Sequence, residues 1–116
     1  MRPRLESERF PFLPVTLEVR GRSFNLEATV DTGFEGFLLV PASLLNRESA
    51  DGRQRWLLAD GSVVTTPLYA CTLRLGALGS IEVMVAALGQ ETLIGRGIID
   101  GYLLTFDHGR RVILEP

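Results

Sequence analysis

Few side chains in the apolar parts of this 116-residue chain can do chemistry, and Asp31 is set apart by its neighbours. It opens the triplet Asp31-Thr32-Gly33, with Leu26, Ala28 and Val30 alternating up to it and the apolar run Phe37-Leu38-Leu39-Val40 just beyond. A carboxylate delivered to a strand end can take a proton from water or return one to a carbonyl oxygen, which is general acid–base work. Asp, Thr and Gly are also ordinary turn formers, so the triplet alone signifies little. Its weight comes from the flanking strands and from a second signal far along the chain, Leu93-Ile94-Gly95-Arg96.

Other reactive residues carry less. Cys71 lies in an alternating strand pattern and reads as a buried, inert thiol. His108 is the single histidine and falls in a predicted turn, so it receives no catalytic or metal role. No cluster of Cys, His or closely spaced acids has metal-ligand spacing, no Gly-rich loop with Lys marks a phosphate site, and no Gly-x-Ser-x-Gly elbow is present. No cofactor is expected. Trp56 reads as packing rather than as a stacking surface for substrate.

The elements that must position Asp31 follow from alternation and turn residues. Val15 to Arg20 and Ser23 to Val30 predict a hairpin through Gly21-Arg22, with a type II′ turn and Leu17 opposite Leu26. Phe37 to Val40 predicts a short strand, and Pro41 followed by Ala42 to Asn46 one helical turn. Asp60-Gly61 between Gln54–Ala59 and Ser62–Thr66 is a strong two-residue hairpin signal. Leu68–Leu75 and Ile81–Leu88 predict another antiparallel pair, with Tyr69, Cys71, Leu73, Ile81, Val83 and Val85 inward. Gly97 to Tyr102 should form a short helix, and Leu103–Phe106 with Arg111–Leu114 a terminal hairpin around His108-Gly109. Strands this short and this closely spaced specify an all-β closed barrel or sandwich-like lobe with one or two short helices.

The length fits one domain able to bury roughly two thirds of its unfolded surface. Residues 1–14 predict an irregular N-terminal arm and 15–116 the single folded domain. The arm is charged and broken by Pro3, Pro11 and Pro14, without the apolar segment of a secretory signal, which predicts a cytoplasmic chain. With 12 basic and 14 acidic residues interspersed, net charge is −2, so neither nucleic acid nor an anionic membrane is an expected partner. No apolar run approaches the roughly 20 residues of a membrane span.

With the hydrophobic-Asp-Thr-Gly motif at Val30–Gly33 and the later hydrophobic-hydrophobic-Gly motif at Leu93–Gly95, the chain resembles the retropepsin-like aspartic proteases, in their single-lobe bacterial form. The resemblance spans nearly everything from Val15 to Glu115. It implies a pepsin-like closed β fold, a two-fold homodimer, a peptide or protein substrate, and Asp31, Thr32 and Gly33 as the catalytic loop. Thr32 would bond across the two-fold axis. Phe34, Glu35 and the flap residues Ala59, Asp60 and Gly61 would contact substrate, while Leu93, Ile94, Gly95 and Arg96 would support the loop from behind. Glu35 and Arg96 match positions that pair in retroviral relatives, so their contact is expected. Phe34 is bulkier than the family's usual alanine or serine.

One carboxylate cannot act as base and acid together. Two Asp31 carboxylates at about 3 Å repel by roughly 5 kcal/mol at an effective dielectric near 20, so the pair must share one proton. Titration then belongs to the pair. The same fold can also serve as a non-catalytic peptide-binding or dimerisation module, and Asp-Thr-Gly can be a plain turn in a structural barrel.

Overall fold

The computed structural model describes residues 2–116, and nearly all its regular structure is strand. In chain order the elements are β1 (Leu5–Ser7), β2 (Phe12–Val19), β3 (Arg22–Val30), β4 (Leu38–Val40), β5 (Gly52–Leu57), β6 (Val63–Arg74), a 3-10 turn (Gly76–Leu78), β7 (Ser80–Ala87), β8 (Leu93–Ile94), the single-turn helix α1 (Arg96–Ile99), β9 (Leu103–Asp107) and β10 (Arg111–Glu115). One sheet runs β2-β3-β8-β4-β7-β6-β5, and β2 pairs again with β6 through Thr16↔Arg74 and Glu18↔Thr72. This second pairing closes six strands into a ring and leaves β5 outside it. The all-β closed lobe expected from strand spacing is therefore the architecture observed. A three-stranded sheet, β1-β10-β9, completes the fold.

Alternation fills the ring. Leu13 and Leu17 of β2, Leu38 of β4, Leu73 of β6, Val85 of β7 and Ile94 of β8 are buried in one cluster, which Val112 and Leu114 of β10 join. Each such aliphatic side chain withdrawn from water contributes roughly 1.5–3 kcal/mol before chain entropy is counted. Tyr69, Cys71 and Leu73 oppose Val85, Val83 and Ile81, as the alternating runs predict. Burial pushes the Cys71 thiol up to about 11, in keeping with an inert residue.

Several local expectations are corrected. In the β2–β3 hairpin Val19 opposes Arg22 and Leu17 opposes Phe24, so Arg20-Gly21 makes the connection rather than Gly21-Arg22. Both residues have positive φ, 46° and 83°, which is type I′ geometry rather than type II′. The slip moves partners by two positions, and with a side-chain period of two the apolar residues keep the inner face. Arg20 is held in this conformation by Asp51 at 2.8 Å and Glu48 at 3.3 Å, and Arg22 reaches Glu48 at 3.2 Å.

Between β5 and β6, Leu57 opposes Val63, so Leu58 to Ser62 form the connection and Asp60-Gly61 is absorbed within it. An Asx-type turn is the cause: Asp60 Oδ1 accepts from the Ser62 N–H at 2.9 Å and also from the Ser62 hydroxyl. These bonds hold the Asp60 carboxyl below its ordinary range. β6 runs unbroken through Pro67, where its sole neighbour is β5 and pairing with β7 has yet to begin, the edge setting in which a missing donor is tolerated.

Ala42 to Asn46 forms no helix; successive turns close through Leu44 N–H to Pro41 O and Glu48 N–H to Leu45 O, each at 3.0 Å. The arm expected to be irregular holds β1 and the start of β2, because β1 finds a distant partner, with Leu5 opposite Leu114 and Ser7 opposite Val112. Met1 of that arm lies outside the described residues. Among them, no helix is long and apolar enough to cross a membrane.

Candidate active site

Asp31 sits where β3 ends, and the backbone there is tied to the segment bearing the second motif. Val30 pairs in parallel with Ile94, and the Asp31 N–H donates to the Ile94 carbonyl at 3.0 Å. The Asp31 carboxylate turns back over its own loop, where Oδ1 accepts from the Gly33 N–H at 2.9 Å. Beyond it, Gly95, Arg96 and Gly97 donate N–H bonds to the carbonyls of Phe37, Phe34 and Gly36 at 2.9, 2.8 and 3.1 Å. Leu93-Ile94-Gly95-Arg96 thus lies directly against the Asp31 loop.

Gly95 has a steric reason. A Cβ there would stand 2.3 Å from Gly36 O, 2.5 Å from Phe34 Cδ2 and 2.6 Å from Phe34 O, closer than packed atoms approach. Only a residue without a side chain lets the two segments meet.

Thr32 is exposed and shares a depression of about 520 Å³ with Arg96, Ile99, Asp100, Tyr102 and Leu104. The expected Glu35–Arg96 contact does not form within the chain. Arg96 instead pairs with Asp100 at 3.3 Å, one helical turn on, where α1 brings residues four apart to one side. Glu35 is exposed beside Phe34, facing the cleft described next.

That cleft opens between the Asp31 loop and the β5–β6 hairpin. Its inner part, about 370 Å³, is lined by Gly33, Leu39, Leu58, Ala59 and Leu88. The outer part, about 630 Å³, is lined by Phe37, Gln54, Leu68, Met84 and Ala86. Phe34, Glu35, Trp56 and Leu57 border both. Ala59 therefore joins Gly33 at one depression, whereas Asp60 and Gly61 stand at the exposed hairpin tip and line neither. Leu57, Leu58 and Trp56 were not singled out by sequence as cleft residues. The available signal was their position: apolar residues on a hairpin outside the ring have no core to face.

His108 is remote from this cleft. It lies in a separate depression of about 460 Å³ on the β9–β10 turn with Glu8, Asp107, Arg110 and Arg111. Among the described residues no group of three or more His, Cys, Asp or Glu is placed to hold a metal ion.

A crystal structure of a retropepsin-like aspartic protease from Rickettsia conorii superposes with a TM-score of 0.67, covering 98% of this chain and 89% of that one at 14% identity. The chain has a retropepsin-like fold. The solution structure of the simian foamy virus protease is also similar, with a TM-score of 0.54, 20% identity, and coverage of 75% of this chain and 91% of that one. No protein-family sequence model matches the chain, and no curated protein matches it by sequence. At these identities the likeness establishes the retropepsin-like fold, and the chemistry must be argued from the residues themselves.

Proposed function

We propose that the protein is an aspartic endopeptidase that works as a homodimer, with the two Asp31 carboxylates sharing a proton and activating one water against a peptide carbonyl. The observation that carries this reading is the Asp31 loop itself: a carboxylate at a strand end, braced by the Ile94 carbonyl and its own Gly33 amide, in a loop whose Gly33 and Phe34 line a cleft roofed by a hairpin. One Asp31 would act as base while its protonated twin gives the carbonyl oxygen its proton. Thr32 would bridge to the second chain, and Phe34, Glu35 and the Ala59–Gly61 tip would contact an extended peptide.

The two-chain requirement is supported by chemistry and by shape. Among the described residues no second acid is hydrogen-bonded to the Asp31 carboxylate, whose partner is the Gly33 amide, and Asp100 is engaged by Arg96. β9 has β10 as its sole neighbour and exposes Leu103 and Phe106, so a free strand edge stands on the three-stranded sheet. β1 is the other edge of this sheet, but at three residues against the five of β9 it offers a second copy the shorter ladder.

The test is cleavage of a randomised peptide library from about pH 3 to pH 8, for the wild type and Asp31→Asn, with dilution and mixing of the two. Hydrolysis that vanishes in Asp31→Asn, weakens on dilution and is poisoned by excess Asp31→Asn chains supports the reading. Product from Asp31→Asn at the wild-type rate removes Asp31 from catalysis. No product from any chain leaves a binding module.

A further inference from the structure

Phe34 follows the Asp-Thr-Gly loop, and its ring lies over Gly36 and Gly95. A Cβ placed at Gly36 would lie 2.5 Å from Phe34 Cζ and 3.1 Å from Trp56 Cη2, so both rings fill the space that Gly36 leaves open. The ring centroids of Phe34 and Trp56 are 5.6 Å apart at an interplanar angle of 40°. Trp56 is anchored in turn, because its Nε1–H donates at 2.7 Å to Oγ1 of Thr66, a threonine with 1% exposure. The floor beneath is one surface: Leu39 opposes Ala86 and Ala86 opposes Leu68, and directly paired residues share a sheet face. Across that continuous apolar floor the two rings make a wall one side chain thick, with the inner depression of about 370 Å³ on one side and the outer of about 630 Å³ on the other.

We propose that the Phe34–Trp56 wall determines which peptides the cleft accepts: an extended segment with two apolar side chains at positions i and i+2, one in each depression, straddling the wall. Side chains that point the same way along an extended chain stand about 6.6–6.8 Å apart, room enough to pass one aromatic group between them. The outer depression offers an apolar guest Phe37, Leu57 and Met84, which are 44%, 76% and 37% exposed and stand outside the chain's core cluster, while Glu35, Gln54 and Arg55 supply its polar lining. The inner depression has the volume for a branched aliphatic group, but a longer group lying along the cleft meets the rings. The extended-peptide ligand is taken from the proposed function; hydrolysis is not needed.

The test uses uncleavable peptides with a reduced amide bond, and the emission of Trp56, the sole tryptophan, as the binding signal. One peptide carries Leu at i and i+2, a second replaces one Leu by Ser, and a third replaces one by naphthylalanine. Wild type should bind the Leu-x-Leu peptide roughly tenfold or more above the other two, the scale on which apolar pockets discriminate. Phe34→Ala removes the wall and should bring the naphthylalanine peptide level with or above Leu-x-Leu. Phe34→Leu, which keeps an apolar anchor over Gly36, should move the same ratio partway, and thermal melting of both variants checks that they are folded. An unchanged ratio in folded Phe34→Leu, or failure of the wild type to bind any of the three, overturns the proposal. Binding with this pattern by a chain that cleaves nothing would sink the hydrolytic reading alone.

Discussion

Gly95→Ala is the substitution whose consequence can be worked most directly from the geometry. The added methyl would meet two carbonyl oxygens, Gly36 O at 2.3 Å and Phe34 O at 2.6 Å, as well as the Phe34 ring at 2.5 Å. A ring can swing aside, but the carbonyls belong to the loop that Gly95, Arg96 and Gly97 hold by backbone hydrogen bonds. Relief therefore requires the 34–37 and 94–97 segments to separate. Overpacking commonly costs about 1–3 kcal/mol, and a backbone obstacle places this case at the upper end, about 3 kcal/mol. For a domain of this size that corresponds to a fall in Tm of roughly 10 °C. Gly52→Ala is the matched control, since its added Cβ meets nothing within 4 Å and the residue has no positive φ. It should be neutral or slightly stabilising through the unfolded chain. Melting followed by circular dichroism and by Trp56 emission reads both variants. If Gly95→Ala melted with Gly52→Ala, the close approach of the two segments would be wrong, and with it the account of what braces Asp31.

Three further outcomes are expected. Arg96→Ala should change stability by no more than about 0.5 kcal/mol, because the Arg96–Asp100 pair joins side chains 51% and 60% exposed; a double-mutant cycle with Asp100→Asn measures it, and strong coupling to Glu35 instead would show the partner to be misassigned. The His108 ring, and after it Arg111, holds the Asp107 carboxyl below its ordinary 3.8. A depressed carboxyl contributes stability above its ordinary value and loses it as pH falls through the folded one, so the melting advantage of wild type over Asp107→Asn should be full near about pH 7 and shrink toward about pH 3; an advantage that grew on acidification would reverse the sign. Amide exchange at Ala59 to Ser62 should be fast in the free protein and slow when a peptide-like inhibitor fills the cleft, since this tip is exposed and held mainly by its own turn bonds.

What the sequence disclosed depended on how far each pairing was constrained by a core. β6 and β7 came through with their inward residues as expected, because both alternate over a long run and one face of each must enter the ring. β2 and β3 slipped by two positions, yet the slip preserved the inner face, and burial pattern cannot distinguish registers that differ by that step. For β5, which lies outside the ring and has no buried residue, no core face existed to set the register against β6, and the Asp60 side chain shaped the turn by binding Ser62. β1 was invisible because three residues carry no period and its partner is β10 at the other end of the chain. At the candidate site, the two motifs were legible as local strings, and they lie side by side in the fold. The Phe34–Trp56 contact was not, since it joins separate elements through space that two glycines leave free. Arg96 had a nearer acid in Asp100 than in Glu35, a choice settled by the single turn of α1.

The β2–β6 pairing that closes the ring has a consequence for how this protein can vary. Because six strands complete the closure without β5, that strand and the 58–62 tip that roof the cleft contribute no rung to it. Substitutions on Gln54, Arg55, Leu57 or Leu58 change what the cleft presents while leaving the ladder of the ring intact. On the proposed function, binding preference and foldability are carried by different parts of one small domain, so the roof can be rewritten residue by residue with the ring as an unchanged chassis. Trp56 is the exception, since its indole ties the roof to Thr66 below and to Phe34 across the cleft.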